Sequence, residues 1–75
     1  MILNINQAVR VIKNLFIDLM STSSLTLDIT KIENIGFDKY KISLTIYRIG
    51  SVDGFDYIIT YNAIQNVIEN IEKKE

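Results

Sequence analysis

Apolar residues recur with a helical period near the start of the chain, switch to alternation in the middle, and return to a helical period at the end. Over residues 4–20, setting successive side chains about 100° apart gathers Ile5, Ala8, Val9, Ile12, Leu15, Phe16, Leu19 and Met20 on one broad face. Gln7, Arg10, Asn14 and Asp18 fall opposite. Asn4 or Asn6 can cap the start, because a short side-chain oxygen accepts a free backbone N–H there. Ile17 lands on the polar side of this helix, either as a scattered exposed residue or as a contact for a partner. The hydroxyl run Ser21, Thr22, Ser23 and Ser24 ends the helix by competing for backbone hydrogen bonds.

Alternation then begins. Leu25, Leu27 and Ile29 share one side, and Thr26, Asp28 and Thr30 the other, as in a half-buried strand. Ile32 takes the opposite parity, which points to a β-bulge after Thr30. Asn34 to Asp38 reads as a turn, with Gly36 free to take positive φ. Tyr40, Ile42, Leu44 and Ile46 form the apolar face of a second strand. Asp53-Gly54 signals a hairpin leading into a third strand, Phe55 to Tyr61, with Phe55, Tyr57, Ile59 and Tyr61 inward and Ile58 outward beside Asp56 and Thr60. From 62 to 74 a second helix is expected. Asn62 and Gln65 have capping-box spacing, and Ile64, Val67, Ile68 and Ile71 follow the i, i+3, i+4, i+7 rule. The polar tail, Glu69, Glu72, Lys73, Lys74 and Glu75, is expected to be solvated and frayed. Ile-Glu-Asn-Ile occurs at 32–35 and again at 68–71, which reads as a product of biased composition.

These elements predict one α+β domain over residues 1–75. It is a two-layer helix–three-stranded antiparallel meander–helix (αβββα) with both helices on one face of the sheet. Thr26, Asp28, Thr30, Lys41, Ser43, Thr45, Tyr47, Asp56, Ile58 and Thr60 would form a mostly polar open face. The chain has 75 residues, which leaves room for a core and a surface but little for a cleft. Apolar residues make up 48%, enough for a globular core. With 15 Ile and 7 Asn against 2 Ala, the composition fits AT-rich coding.

The missing residue types narrow the chemistry. Without Cys or His there is no disulfide, thiol nucleophile, imidazole base or imidazole metal ligand. Asp53 and Asp56 lie close together at a hairpin but lack the ligand spacing of a calcium loop. Ser43 and Lys41 share a strand face, as polar strand residues commonly do. Gly36, Gly50 and Gly54 fall in strand turns and form no phosphate loop. No enzymatic activity, cofactor, metal or small-molecule substrate is therefore expected. Nothing reads as a membrane span or a secretory leader, so the expected location is the cytoplasm, or the host cytoplasm for a viral protein.

Two binding readings remain. The first is a small non-catalytic protein-binding module that acts by surface occupancy, as a homodimer or as a subunit or inhibitor of a larger protein. Its candidate contacts are Ile17, Tyr47, Ile58, Ile49 and Val52, apolar or amphipathic groups expected on outer surfaces. The alternative is weak single-stranded nucleic-acid binding through Lys41, Tyr47 and Arg48. Residues 31–48 carry four basic groups against two acidic ones, and a sheet aromatic beside a cation can stack a base. The net charge of -1 makes nucleic acid the less favoured partner. The helix–three-strand–helix order in so small a chain resembles several phage-encoded inhibitors of host defence proteins. Many of those are strongly acidic DNA mimics. A net charge of -1 departs from that pattern, so the resemblance implies coverage of a protein surface.

Overall fold

The computed structural model describes residues 4–21, 25–50 and 52–74. Thr22, Ser23 and Ser24 of the expected helix stop lie outside the described residues. Asn4 caps α1 (Ile5–Met20), accepting the Gln7 N–H at 3.1 Å. That satisfies one of the amide donors a helix start leaves without an internal partner. The helix ends at Ser21, whose backbone is left-handed (φ 51°) and whose N–H donates to the Asp18 carbonyl at 3.4 Å. Ala8, Ile12 and Phe16, spaced four apart, form its buried line. In the last turn the packed side shifts toward Ile17 and Met20 and leaves Leu19 exposed. Ile17, expected among the polar residues, is half-buried against the core.

Four strands follow: β1 (Leu25–Gly36), β2 (Lys39–Arg48), β3 (Gly54–Asn62) and β4 (Val67–Lys74). They pair antiparallel in the order β1-β2-β3-β4. The expected αβββα order is therefore corrected to αββββ, with one helix and a four-stranded meander among the described residues. The expected second helix is β4, and its polar end is paired with β3 as far as Lys74 rather than frayed.

The cause of that error is local. The Asn62 side-chain oxygen does accept the Gln65 N–H, at 3.0 Å, as a helix cap would. The same bond also closes a turn. Asn66 then takes a left-handed backbone (φ 55°), which ends any helix at its first turn. The register of β4 against β3 slips between Thr60 and Tyr61, so Glu69 is the extra residue of a bulge. A bulge changes strand parity. It puts Ile68 opposite Tyr61 and Ile71 opposite Ile59, on one face of the sheet. An i, i+3 spacing on one face is a helical signature in sequence, and here it belongs to a bulged strand.

β1 carries two such slips, at Thr30 and at Ile35. The first is the bulge implied by the parity of Ile32. The two Ile-Glu-Asn-Ile segments thus lie on the two outer strands, each beside a bulge. The positive φ expected at Gly36 occurs instead at Asp38 (φ 53°), and that of the second turn at Gly50 (φ 87°). Gly54 lies within β3. A Cβ there would come within 2.5 Å of Thr45 and 2.6 Å of Tyr47.

The registers define rows across the helix-facing side. Ile32, Ile42, Ile59 and Ile71 form one, and Ile29, Leu44, Tyr57 and Lys73 the next. The middle of these rows is buried together with Ile46 and Tyr61, under Ala8, Ile12 and Phe16. The Phe16 and Tyr57 rings meet at 4.8 Å between centroids, tilted by 54°, a favourable aromatic geometry. The Tyr61 hydroxyl donates to the Asn66 side chain, and burial raises its pKa. Substituting Ile42 by Ala should cost about 2–5 kcal/mol. A core of this size supplies only about 3–5 kcal/mol in total. The urea midpoint of the Ile42→Ala variant, followed by circular dichroism, should therefore fall close to zero denaturant.

Candidate interaction surfaces

Three surfaces result from this layout: the open sheet face and the two ends of the sheet. The open face has the composition that alternation predicts. Its rows run Glu33–Lys41–Thr60–Asn70, Lys31–Ser43–Ile58–Glu72 and Asp28–Thr45–Asp56–Lys74 from β1 to β4. Acidic and basic groups alternate along each edge, so no single-sign field builds up. Thr45 donates its hydroxyl to the Asp56 carboxylate at 2.6 Å, which gives this carboxylate a structural partner. A hollow of about 160 Å³ lies here, lined by Thr30, Ser43, Thr45, Asp56 and Lys74 among others. Ligand pockets are commonly larger, about 300–1,000 Å³. Among the described residues no three carboxylates gather as a metal cage would need. Ser51 lies outside them.

The candidate contacts scatter over these surfaces. Ile58 is half-buried at the centre of the open face. Tyr47 is half-buried opposite Gly54, whose missing side chain makes room for its ring. Ile49 and Val52 stand in the β2–β3 turn, Val52 at 92% exposure. Ile17 belongs to the helix–sheet core. The structure therefore brings Tyr47 and Ile58 onto one face, places Ile49 and Val52 together at one end, and packs Ile17, half-buried, against the core. Of the nucleic-acid set, Lys41 and Tyr47 share the open face. Arg48 is opposite Leu25 and so has the other parity.

At the far end of the sheet is a group that sequence reasoning missed. The β1–β2 turn and the β3–β4 turn lie side by side, joined by the Ala63 N–H donating to the Asp38 carbonyl at 2.8 Å. Phe37, at 93% exposure, crowns the first turn, and Ile64 stands exposed on the second. Ile35 and Val67, also exposed, flank them on the outer strands. A Phe placed between Gly36 and Asp38 at a hairpin tip was a legible signal. Ile64 and Val67 were hidden by the helix expected there, which would have buried them.

A polar clasp sits beside this apolar end. Lys39 pairs with Glu69 at 3.2 Å, and Asn62 donates its side-chain amide to the same carboxylate at 3.2 Å. The bulge at Glu69 makes this possible, because it turns that carboxylate to the open face toward β2 and β3. The Asn62 amide first, and then Lys39, hold the Glu69 pKa below its ordinary 4.5.

No helix among the described residues is long and apolar enough to cross a membrane. Comparison with protein-family models, curated proteins and solved structures finds no significant match to the chain.

Two outcomes follow from these surfaces. A carboxylate whose folded pKa is lowered stabilises the fold above its unfolded pKa and loses that effect as pH falls through the folded value. Urea midpoints of the parent and of Glu69→Gln should therefore differ most above pH 4.5 and converge below it. Separately, titration of a labelled single-stranded oligonucleotide at low salt should show no saturable, salt-sensitive binding. Lys41 has acidic neighbours on its face, and Arg48 has the opposite parity.

Proposed function

We propose that this chain is a small non-catalytic protein-binding module, which acts by covering a surface of a larger protein as its subunit or inhibitor. One observation carries the reading: Phe37, Ile35, Ile64 and Val67 are exposed at one end of the sheet, on and beside two turns tied by a backbone hydrogen bond. Large apolar groups gathered on a protein surface mark interaction sites more often than scattered ones do. A Phe whose backbone is held on a two-residue turn has little backbone freedom left to lose on binding, which favours it as an anchor for an apolar pocket. The Lys39–Glu69–Asn62 clasp supplies the polar rim that such a site commonly has.

The reading rests on this surface and not on element order. The likeness to phage-encoded inhibitors depended on a closing helix, and β4 takes its place.

Affinity capture from the native host tests the proposal. The parent chain should retain a protein that Phe37→Asp bait loses and Val52→Asp bait keeps, since Val52 is equally exposed at the other end. Equal capture by the Phe37→Asp bait, or a strict monomer with no partner at micromolar concentration, overturns it.

A further inference from the structure

We propose that the outer edge of β1 is a self-association site. It pairs antiparallel with the same edge of a second copy about a two-fold axis at Ile32, joining two four-stranded sheets into one of eight. This goes beyond the binding reading above and does not depend on it.

β1 is paired on one side only, with β2, so its other side presents unpaired backbone donors and acceptors. Every residue from Lys31 to Gly36 is exposed, including Ile32 and Asn34, which lie on the helix-facing side. The helix therefore does not cover this part of the edge. Bulges at Thr30 and Ile35 bound a regular run, Lys31 to Asn34. Side chains directly opposite in an antiparallel pair share a face, so a two-fold axis normal to the sheet must pass through one residue. Through Ile32, it sets Lys31 opposite Glu33 of the second copy, and Glu33 opposite its Lys31. Both pairs lie on the open face, with opposite charges facing and no like charges facing.

Other centres are worse. Lys31 or Glu33 as centre sets like charges face to face, which is unfavourable. Ile29 or Asn34 as centre puts a bulge next to the axis. On β4, Glu72 as centre opposes two carboxylates, Lys73 as centre opposes two ammonium groups, and Ile71 as centre pairs Asn70 with Glu72 and gains no opposite-charge pair.

The Ile32 centre also completes an apolar row. Ile71, Ile59, Ile42 and Ile32 already cross the sheet, and Ile32, 38% exposed at its end, would meet its own copy. Burial of Ile32 and the new backbone hydrogen bonds supply the affinity. The exposed Lys31–Glu33 pair, at 3.9 Å within one strand, exchanges into a four-charge cluster that chiefly selects register.

The chain has no cysteine, so Ile32→Cys introduces a single thiol. Opposed residues in an antiparallel pair have Cα atoms about 4.5–5.5 Å apart, within disulfide range. Under mild oxidation at micromolar concentration, Ile32→Cys should crosslink to a dimer while the equally simple Val52→Cys stays largely monomeric. Light scattering of the parent should give twice the monomer mass. Lys31→Glu should lose the dimer with an unchanged circular dichroism spectrum, and Lys31→Glu with Glu33→Lys should regain it. Phe37→Asp should leave the dimer intact, which separates this test from that of partner capture. A monomeric parent whose Ile32→Cys variant crosslinks no faster than Val52→Cys overturns the proposal. So does rescue of Lys31→Glu by Glu72→Lys, which would mean head-to-tail pairing of β1 with β4.

Discussion

A single helix has to cover a sheet of four strands, and most features of this protein follow from that mismatch. Strands lie about 4.8 Å apart and a helix with its side chains is about 10–12 Å across. One helix therefore seals the middle of the sheet and leaves its margins thin. The buried residues of the sheet are mostly on β2 and β3: Ile42, Leu44, Ile46, Ile59 and Tyr61. On the outer strands, inward-facing Leu27, Ile29, Ile68 and Ile71 are only half-buried, and Ile32 is exposed. Both outer strands, β1 and β4, nonetheless approach α1. Bulges on both outer strands add local twist there.

The margins are where binding is expected for the same reason. β1 spans twelve residues, about 40 Å at strand rise, comparable to the 37 Å longest dimension of the molecule. A sixteen-residue helix is about 24 Å long, so it cannot follow the β1–β2 hairpin to its tip. The uncovered stretch carries Ile32, Ile35 and Phe37. Those residues are not errors of a small core. They are the apolar groups that a single covering helix cannot reach.

Much of the fold was legible from residue spacing. Helix α1, its Asn4 cap, the inward faces of β2 and β3 and the parity change after Thr30 all follow from local patterns, because each depends on neighbours within a few positions. The closing element was not legible. Val67, Ile68 and Ile71 satisfy a helical rule, and Asn62 with Gln65 satisfies a cap. A bulged strand satisfies the same pattern, and β3 has an open edge with Ile59 and Tyr61 to cover. Pairing with that edge supplies a ladder of hydrogen bonds, interrupted at Glu69, and buries part of Ile68 and Ile71. A short terminal helix would have left β3 as the edge. Of the candidate contacts, Ile49 and Val52 are exposed, and Tyr47, Ile58 and Ile17 are half-buried, Ile17 against the core because helix packing in the last turn departs from an ideal wheel.

Residue order alone therefore settled the local conformations and the two-faced character of the sheet, which are properties of short segments and their side-chain period. Tertiary structure decided the identity of the last element, the side on which Glu69 emerges, and the pairing of two distant turns through Asp38 and Ala63. These depend on which strand lies beside which, and on where a bulge shifts the register. Both are set by partners far away in the chain, so no local period encodes them.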